Sequence, residues 1–316
     1  MGNRFRVAVD LPWDASAHMG TGAYSETMVR ALADCTDVDI LLITSNDTPR
    51  TIDLKNVSYH SPPIIELRGD GFRQISLPSM LEGLKADCLF APATLVPILK
   101  VCPIVATVHD MTFVEHPEYY GAGLVRYLNQ WFEPSIRAAD HIIAISEETK
   151  AALLRAGVAG ERITVIQQPV RNAFTSRLPP KQVKQWLEKM EITQPFFFHV
   201  SNLAPHKNVK FAMQVFKGYL TEHPESQHIF VVAGGGIAPN QPLDPRVLAG
   251  ENGVDSRVRV LGRIKDDALK ALYQGCDAFL FPSLAEGWGL PVAEAATLGA
   301  RIFASPNVPA ASWKTT

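Results

Sequence analysis

Residues 279–300 read FLFPSLAEGWGLPVAEAATLGA: an apolar run that stops at Pro282, a glycine-containing stretch, then a helical pattern entered through Pro291. Each part has a physical reading. A short unbroken apolar run ending at a proline is a strand buried on both faces. Proline suits the first turn of a helix, where its missing N–H would have no partner in any case. Strand, loop and helix in this order put the loop at the carboxyl end of a parallel strand, where such sheets bind ligands. Glu286 falls in the loop and Glu294, eight residues on, near the first helical turn. Glu286 is placed to orient a polar ligand and Glu294 to hold a diol such as ribose hydroxyls, while the loop amides remain for phosphate.

The same rhythm runs outward from this stretch. Short apolar runs predict strands at 5–11, 39–44, 88–91, 104–108, 141–145 and 163–166, with helices at 24–33, 76–84, 124–138 and 147–155. A second series follows, with strands at 196–201, 228–233, 258–261, 278–281 and 301–304 and helices at 209–220, 266–273 and 291–298. Strands separated by helix-length segments imply an α/β protein whose parallel sheets carry helices on both faces. The stretch RNAFTSRLPPK at 171–181 has two prolines and little periodicity, so it reads as the seam between two Rossmann-like domains, 1–173 and 174–316.

Composition narrows the class. At 316 residues the chain has room for two domains, and 47% hydrophobic against 20% charged residues excludes disorder. Thirty Lys and Arg against 32 Asp and Glu leave a net charge of −2, which argues against a nucleic-acid-binding surface. Cys35, Cys88, Cys102 and Cys276 lie far apart with no CxxC, so neither a disulfide framework nor a zinc ribbon is expected, and a reducing compartment is. The longest apolar region, 91–108, is broken by three prolines and Lys100, so no transmembrane helix is predicted; the N-terminus reads as a first strand rather than a signal peptide.

Three further loops follow predicted strands. HMGTGAYSE (18–26) places Gly20 and Gly22 before a helix, where backbone can approach an anion; Ser25 stands where a dinucleotide fingerprint would have its third glycine. TVHDMTF (107–113) sets His109 at the end of a strand, able to face an inter-domain cleft and donate hydrogen bonds. HVSNLAPHKNVK (199–210) brings Lys207 beside a helix N-terminus that Asn208 is expected to cap, so that ammonium and amide donors meet a diphosphate. Asp37-Val38-Asp39 has the form of a DxD metal motif but precedes its strand, and the nine histidines show no metal-ligand spacing. No metal site is predicted. Trp131 and Phe132 are candidates for lipid or acceptor contact, with core packing the favoured reading.

Together these segments resemble the retaining glycosyltransferases of the GT-B fold, family four, which includes many bacterial mannosyl- and glucosyltransferases. The resemblance covers nearly the whole chain and is carried by GTGAYSETMVRAL (20–32), TVHDMTFVEHPEYY (107–120), ISEETKAALLRAGVAGERITVIQQPV (145–170), SNLAPHKN (201–208) and EGWGLPVAEA (286–295). The last matches the family's E-x7-E motif. What the resemblance implies is an α/β, two-domain enzyme with a central cleft. It would move a hexose from a nucleotide donor such as GDP-mannose or UDP-glucose to a glycan or polyprenyl-linked acceptor, without metal or other cofactor. A cytoplasmic location is implied, with peripheral contact at the inner face of the membrane.

Roles follow the motif positions. Gly20 and Gly22 would approach the donor diphosphate, His109 would contact the transferred sugar, Lys207 would bind the diphosphate, Glu286 would stand at the donor sugar and Glu294 on the ribose. Asn202, His206, Arg263, Gly287, Trp288, Gly289 and Leu290 complete the implied donor site. The physics agrees with that assignment, because breaking a glycosyl–phosphate bond builds charge on the leaving group, which fixed donors must stabilise. The chain also departs from the pattern. Places where relatives carry a phosphate-binding arginine hold His206 and Asn202, Ser201 replaces a frequent glycine, and Trp288 replaces a common phenylalanine. The family pattern also continues beyond the strand at 301–304, so the second domain is expected to be incomplete relative to the family. Two other readings remain open at this point: a catalytically silent nucleotide-sugar-binding protein, and a two-lobed small-molecule receptor.

Overall fold

The apolar runs assemble into two wholly parallel sheets. In the computed structural model, residues 4–11, 20–44, 52–62, 69–235 and 244–312 are described, and they divide into two units, Met1–Pro169 and Val170–Thr316. The first unit contains β1 (Phe5–Asp10), α1 (Thr21–Ala33), β2 (Val38–Ile43), β3 (Val57–His60), α2 (Leu77–Gly83), β4 (Cys88–Ala91) and β5 (Ile104–Val108). It continues with α3 (Thr112–Glu115), α4 (Ala122–Ala138), β6 (His141–Ala144), α5 (Glu147–Arg155) and β7 (Ile163–Val165). The second unit contains α6 (Pro180–Lys189), β8 (Phe196–Ser201), α7 (Val209–Glu222), β9 (Ile229–Gly234), α8 (Pro245–Asn252) and β10 (Val258–Gly262). α9 (Asp266–Gly275), β11 (Ala278–Phe281), α10 (Leu290–Thr297) and β12 (Ile302–Ala304) complete it.

Strand order is β3-β2-β1-β4-β5-β6-β7 in the first sheet and β10-β9-β8-β11-β12 in the second. In both, the first strand of the unit lies beside the fourth, so the order reverses there: at β1/β4 in one unit and at β8/β11 in the other. Right-handed crossovers put α7 and α8 on one face of the second sheet and α9 and α10 on the other. The packing of α7 on α8 follows from that, and α6, which leads into β8, packs on α9.

Both sheets are held by burial. Helix α7 presents Val209, Ala212, Met213 and Phe216, a spacing of three, four and seven that forms one stripe, against Phe230, Val232 and Leu280. In the first unit Leu89, Ile104, Val108 and Ile142 pack with Leu77, Leu81 and Ile136. Phe132 is in that core, edge-on to Phe113 with centroids 5.2 Å apart, so it packs rather than projects.

Four elements fall outside the sequence expectation, the one-turn helix α3 among them. The short strand β3 is half polar (VSYH); Asn56 ties its approach to the neighbouring chain through the carbonyls of Ala33 and Val38. α8 has no counterpart in the sequence expectation, and α6 begins inside the expected seam: Pro180 is its first residue. The unit boundary at Pro169 precedes the expected one at 173: Arg171, in the intervening residues, pairs with Asp266 and Glu294 of the second unit.

Where β8 and β9 end side by side, Gly234 has φ +96°, and a Cβ there would lie 1.9 Å from the Ser201 carbonyl oxygen. Gly234→Ala combines a left-handed backbone with a backbone clash, and is expected to lower stability by about 2 kcal/mol or more. Gly235, where a Cβ would meet nothing within 4 Å, serves as the control: its alanine variant should stay within about 0.5 kcal/mol. Guanidinium titrations of both variants read the difference.

Candidate functional site

At the order reversal of the second sheet, β8 and β11 deliver their following loops, 202–208 and 282–289, to the same place. Hydrogen bonds lace the two loops together. The His206 carbonyl accepts from the Leu284 amide at 2.8 Å and from the buried Ser283 hydroxyl at 3.1 Å, and the Asn208 side-chain amide donates to the Pro282 carbonyl at 3.3 Å. Asn208 therefore does not cap α7 with its side chain as the sequence suggests. It sits at the cap position in the left-handed region (φ +53°) with its amide turned to the neighbouring loop. Leu203, at φ +59°, is also left-handed. Backbone held this way by non-glycine residues is maintained by its surroundings.

The lacing sets Lys207 against Glu286. The Lys207 Nζ donates to Glu286 Oε1 at 2.6 Å, and only 16% and 10% of the two side chains are exposed. Lys207 is the only Lys or Arg in the two loops. His206 beside it carries no charge near neutrality: burial, and then the Lys207 ammonium, push its pKa down to about 4. His199, fully buried on β8, is likewise lowered to about 4, chiefly by burial; it bonds the Leu280 carbonyl and the Ser201 hydroxyl. Asn202 is exposed and turns its side-chain oxygen back to the Ala204 amide at 3.2 Å.

The remaining loop candidates divide. Gly289 has φ +96° and precedes α10, and a Cβ there would meet Val308 Cγ1 at 2.4 Å, so the position requires glycine on two counts. Trp288 is buried, its carbonyl accepting from Ala310 and its indole N–H finding no acceptor among the described residues. Gly287 and Leu290 are half-buried. Arg263 stands exposed after β10, with β9 between that strand and β8. An apolar groove of about 710 Å³ beside the loops is lined by residues such as Phe197, Phe211 and Phe303 and by no charged side chain, so it offers a phosphate no counter-charge.

Glu294 is reached from an unexpected quarter. It is buried (2% exposed) on α10, and its Oε1 accepts from Arg171 Nε at 2.6 Å. Arg171 also bonds Asp266 at 2.8 Å and lies over the Phe174 ring at 4.2 Å. The Tyr273 hydroxyl approaches Glu294 Oε2 at 3.5 Å. Burial pushes the Glu294 carboxyl up, and Arg171 opposes that. Burial also pushes the Tyr273 hydroxyl well up, keeping it a neutral donor. Arg171, Asp266 and Tyr273 escape a sequence reading because nothing local marks them; Arg171 lies in the stretch that reads as a linker.

Gly20, Gly22 and His109 belong to the first unit. Gly20 (φ +54°) immediately precedes α1, and Gly22 lies within the first turn of that helix rather than in a loop; His18 and Met19 fall outside the described residues. His109 follows β5. Its Nε2 bonds the Pro92 carbonyl at 2.7 Å, and Tyr24 packs edge-on to the ring at 4.9 Å. A carbonyl only accepts, so Nε2 carries the proton. Burial lowers the pKa and keeps the ring neutral, which leaves Nδ1 an acceptor. The donor role expected from sequence is thereby corrected: the ring's one N–H is already used.

Asp39 forms an ion pair with Arg4 at 2.9 Å at the start of β2. Among the described residues no group of three or more His, Cys, Asp or Glu side chains is placed to hold a metal ion, and no helix is long and apolar enough to cross a membrane.

Two parallel α/β units of these strand orders define the GT-B architecture. The fold is shared with Anabaena Alr3699/HepE, solved in complex with UDP and glucose, at a TM-score of 0.72 and 17% identity over 99% of this chain and 84% of that one. The first half, 19–173, matches the family described as Glycosyltransferase Family 4, and 182–312 matches Glycosyl transferases group 1. Similar proteins include the Escherichia coli O-antigen chain mannosyltransferase B, 25% identical over 203 residues (64% of this chain, 52% of that protein). The E. coli serotype-specific mannosyltransferase WbdA is 29% identical over 228 residues (69% of this chain, 27% of that protein). The chain belongs to the family 4 glycosyltransferases. It spans about half the length of the first relative and about a quarter of the second.

The two depressed histidines make a prediction. Unfolded imidazoles titrate near 6.5 and these near about 4, so between those values the unfolded chain binds more protons and folding weakens as pH falls. The imidazole resonances of His199 and His206 should stay at neutral-form shifts down to about pH 5, while the unfolding midpoint drops below about pH 6.5. Titration of either ring near 6.5 in the folded protein would show that it is not sealed from water.

Proposed function

We propose that the chain is a retaining, metal-independent hexosyltransferase that moves mannose or glucose from a nucleoside diphosphate donor to a glycan or lipid-linked acceptor. With a polyprenyl-linked acceptor it would work at the inner face of the membrane. The observation that carries this reading is the Lys207–Glu286 pair at 2.6 Å, joined across the two loops at the order reversal of the second sheet. The mannosyltransferase relatives support the sugar class.

In this reading the diphosphate displaces Glu286 from Lys207. The ammonium turns to phosphate, and the freed carboxylate accepts hydroxyls of the hexose. As the bond from C1 to the phosphate oxygen breaks, negative charge gathers on the leaving group, where Lys207 and the loop amides stabilise it. The acceptor oxygen bonds C1 on the face the phosphate leaves, and its proton passes to the departing phosphate oxygen. Configuration is retained without a protein nucleophile. With its N–H used on the Pro92 carbonyl, His109 has only Nδ1, an acceptor, to offer a sugar hydroxyl. Metal independence follows the motif reading: no DxD follows a strand, so the charge of the leaving group is left to Lys207 and the loop amides.

Three outcomes test the proposal. Lys207→Met should weaken UDP or GDP binding by about tenfold to a hundredfold, as the loss of a charge-assisted bond worth about 1.5–3 kcal/mol predicts, and leave nucleoside binding unchanged. Glu286→Gln should lower turnover while the nucleoside diphosphate still binds, since its contacts are to the sugar. EDTA should leave transfer from GDP-mannose or UDP-glucose intact, and NMR of the product should show the donor's anomeric configuration. Donor binding with no transfer or hydrolysis would make the protein a nucleotide-sugar binder; activity abolished by chelation and restored by manganese would end the metal-free reading.

A further inference from the structure

A carboxylate buried as deeply as Glu294 reverts to the neutral acid unless something compensates its charge. The ionisation state matters to any diol it holds, because a carboxylate accepts at both oxygens whereas the acid carries one O–H that must itself be satisfied. The compensating cation comes from Arg171, 123 residues away in sequence. Its guanidinium is held on three sides, by Glu294 Oε1 at 2.6 Å, by Asp266 Oδ1 at 2.8 Å and by the Phe174 ring at 4.2 Å. Only Oε1 is taken by that fork. Oε2 meets the Tyr273 hydroxyl at 3.5 Å, at the outer limit of a hydrogen bond, so it keeps acceptor capacity.

We propose that Arg171 is a positioning residue of the donor site, holding Glu294 ionised and turned so that Oε2 accepts the vicinal hydroxyls of the nucleotide ribose. The inference rests on the donor reading given above and adds a residue to it. The charged and titratable groups facing Glu294 are Arg171 on the segment before α6, and Asp266 and Tyr273 on α9. Asp266 acts against ionisation and Tyr273 stays neutral, so Arg171 is the cation among them. Lysine would keep the charge; glutamine would keep polarity without it.

The test uses the full chain and the variants Arg171→Gln, Arg171→Lys and the double variant Arg171→Gln with Glu294→Gln. The first measurement is thermal unfolding without nucleotide, from about pH 5.5 to about 8.5. Without Arg171, the folded-state pKa of Glu294 rises further above its unfolded value. The Arg171→Gln protein should therefore lose midpoint relative to wild type as pH rises through that value, and the double variant should lose that trend. The second measurement is calorimetry with UDP and with GDP. Wild type and Arg171→Lys should bind with affinity nearly flat in pH. Arg171→Gln should bind about tenfold more weakly at about pH 6 and recover towards about pH 8.5, as Glu294 ionises. Opposite pH trends in stability and affinity are the signature, since a merely structural tie would weaken both together. A pH-flat affinity in Arg171→Gln, or an unfolding profile parallel to wild type, overturns the positioning role. If wild type binds neither nucleotide while the unfolding trend holds, the donor reading fails and the proposal falls with it.

Discussion

A parallel sheet buried on both faces has nowhere to put polar side chains except at its strand ends, and this constraint organises both halves of the chain. Strands such as β8 and β11 are apolar almost throughout, so chemistry is confined to the loops that follow them. The strand order then decides which loops meet. Because β8 lies beside β11, Lys207 and Glu286 come within a hydrogen bond of each other although 79 residues separate them. At the neighbouring strand end Gly234 pairs with Ser201 so closely that no side chain fits between them.

The charges at this surface are internally matched. Lys207 pairs with Glu286 and Arg171 with Glu294, each pair largely withdrawn from water. Such pairing meets a general difficulty: a cation placed to receive phosphate, and a carboxylate placed to receive hydroxyls, both cost free energy when the site is empty. Matching them lets each stand ready in a low-dielectric position, and a ligand enters by exchange of partners rather than by filling an uncompensated hole. His206 contributes shape and a carbonyl but no charge. The site's cationic character near the two loops therefore rests on one ammonium where relatives are expected to use two cations.

The legible part of the fold is the part made of uniform apolar runs. The limits of β4, β5, β8 and β11 coincide with the runs read from sequence, because a strand buried on both faces announces itself at every position. β3 does not, since VSYH is half polar and its place depends on Asn56 side-chain bonds. The Pro179–Pro180 pair reads as a linker although it starts α6: the same proline that breaks a chain also opens a helix. At the site, Lys207, Glu286 and Glu294 are legible from local motifs. The conformations of Asn208 and His109 are not, because each is fixed by a carbonyl from a distant loop, Pro282 in one case and Pro92 in the other. Arg171 is hidden likewise, its carboxylate partners Asp266 and Glu294 lying 95 and 123 residues away.

The location of Arg171 constrains how the halves of such a protein can be inherited or recombined. The guanidinium that pairs with two carboxylates of the second unit is carried on its leading peptide, just after Pro169. A crossover placed in the aperiodic stretch further on, at 173 for instance, would assemble the second unit of one parent with the leading peptide of the other. Unless that peptide also brought a cation, Glu294 and Asp266 would enter the chimera as adjoining acids with no counter-charge. The seam open to exchange therefore lies before Val170, and residues that look like spacer travel with the unit whose charge they balance.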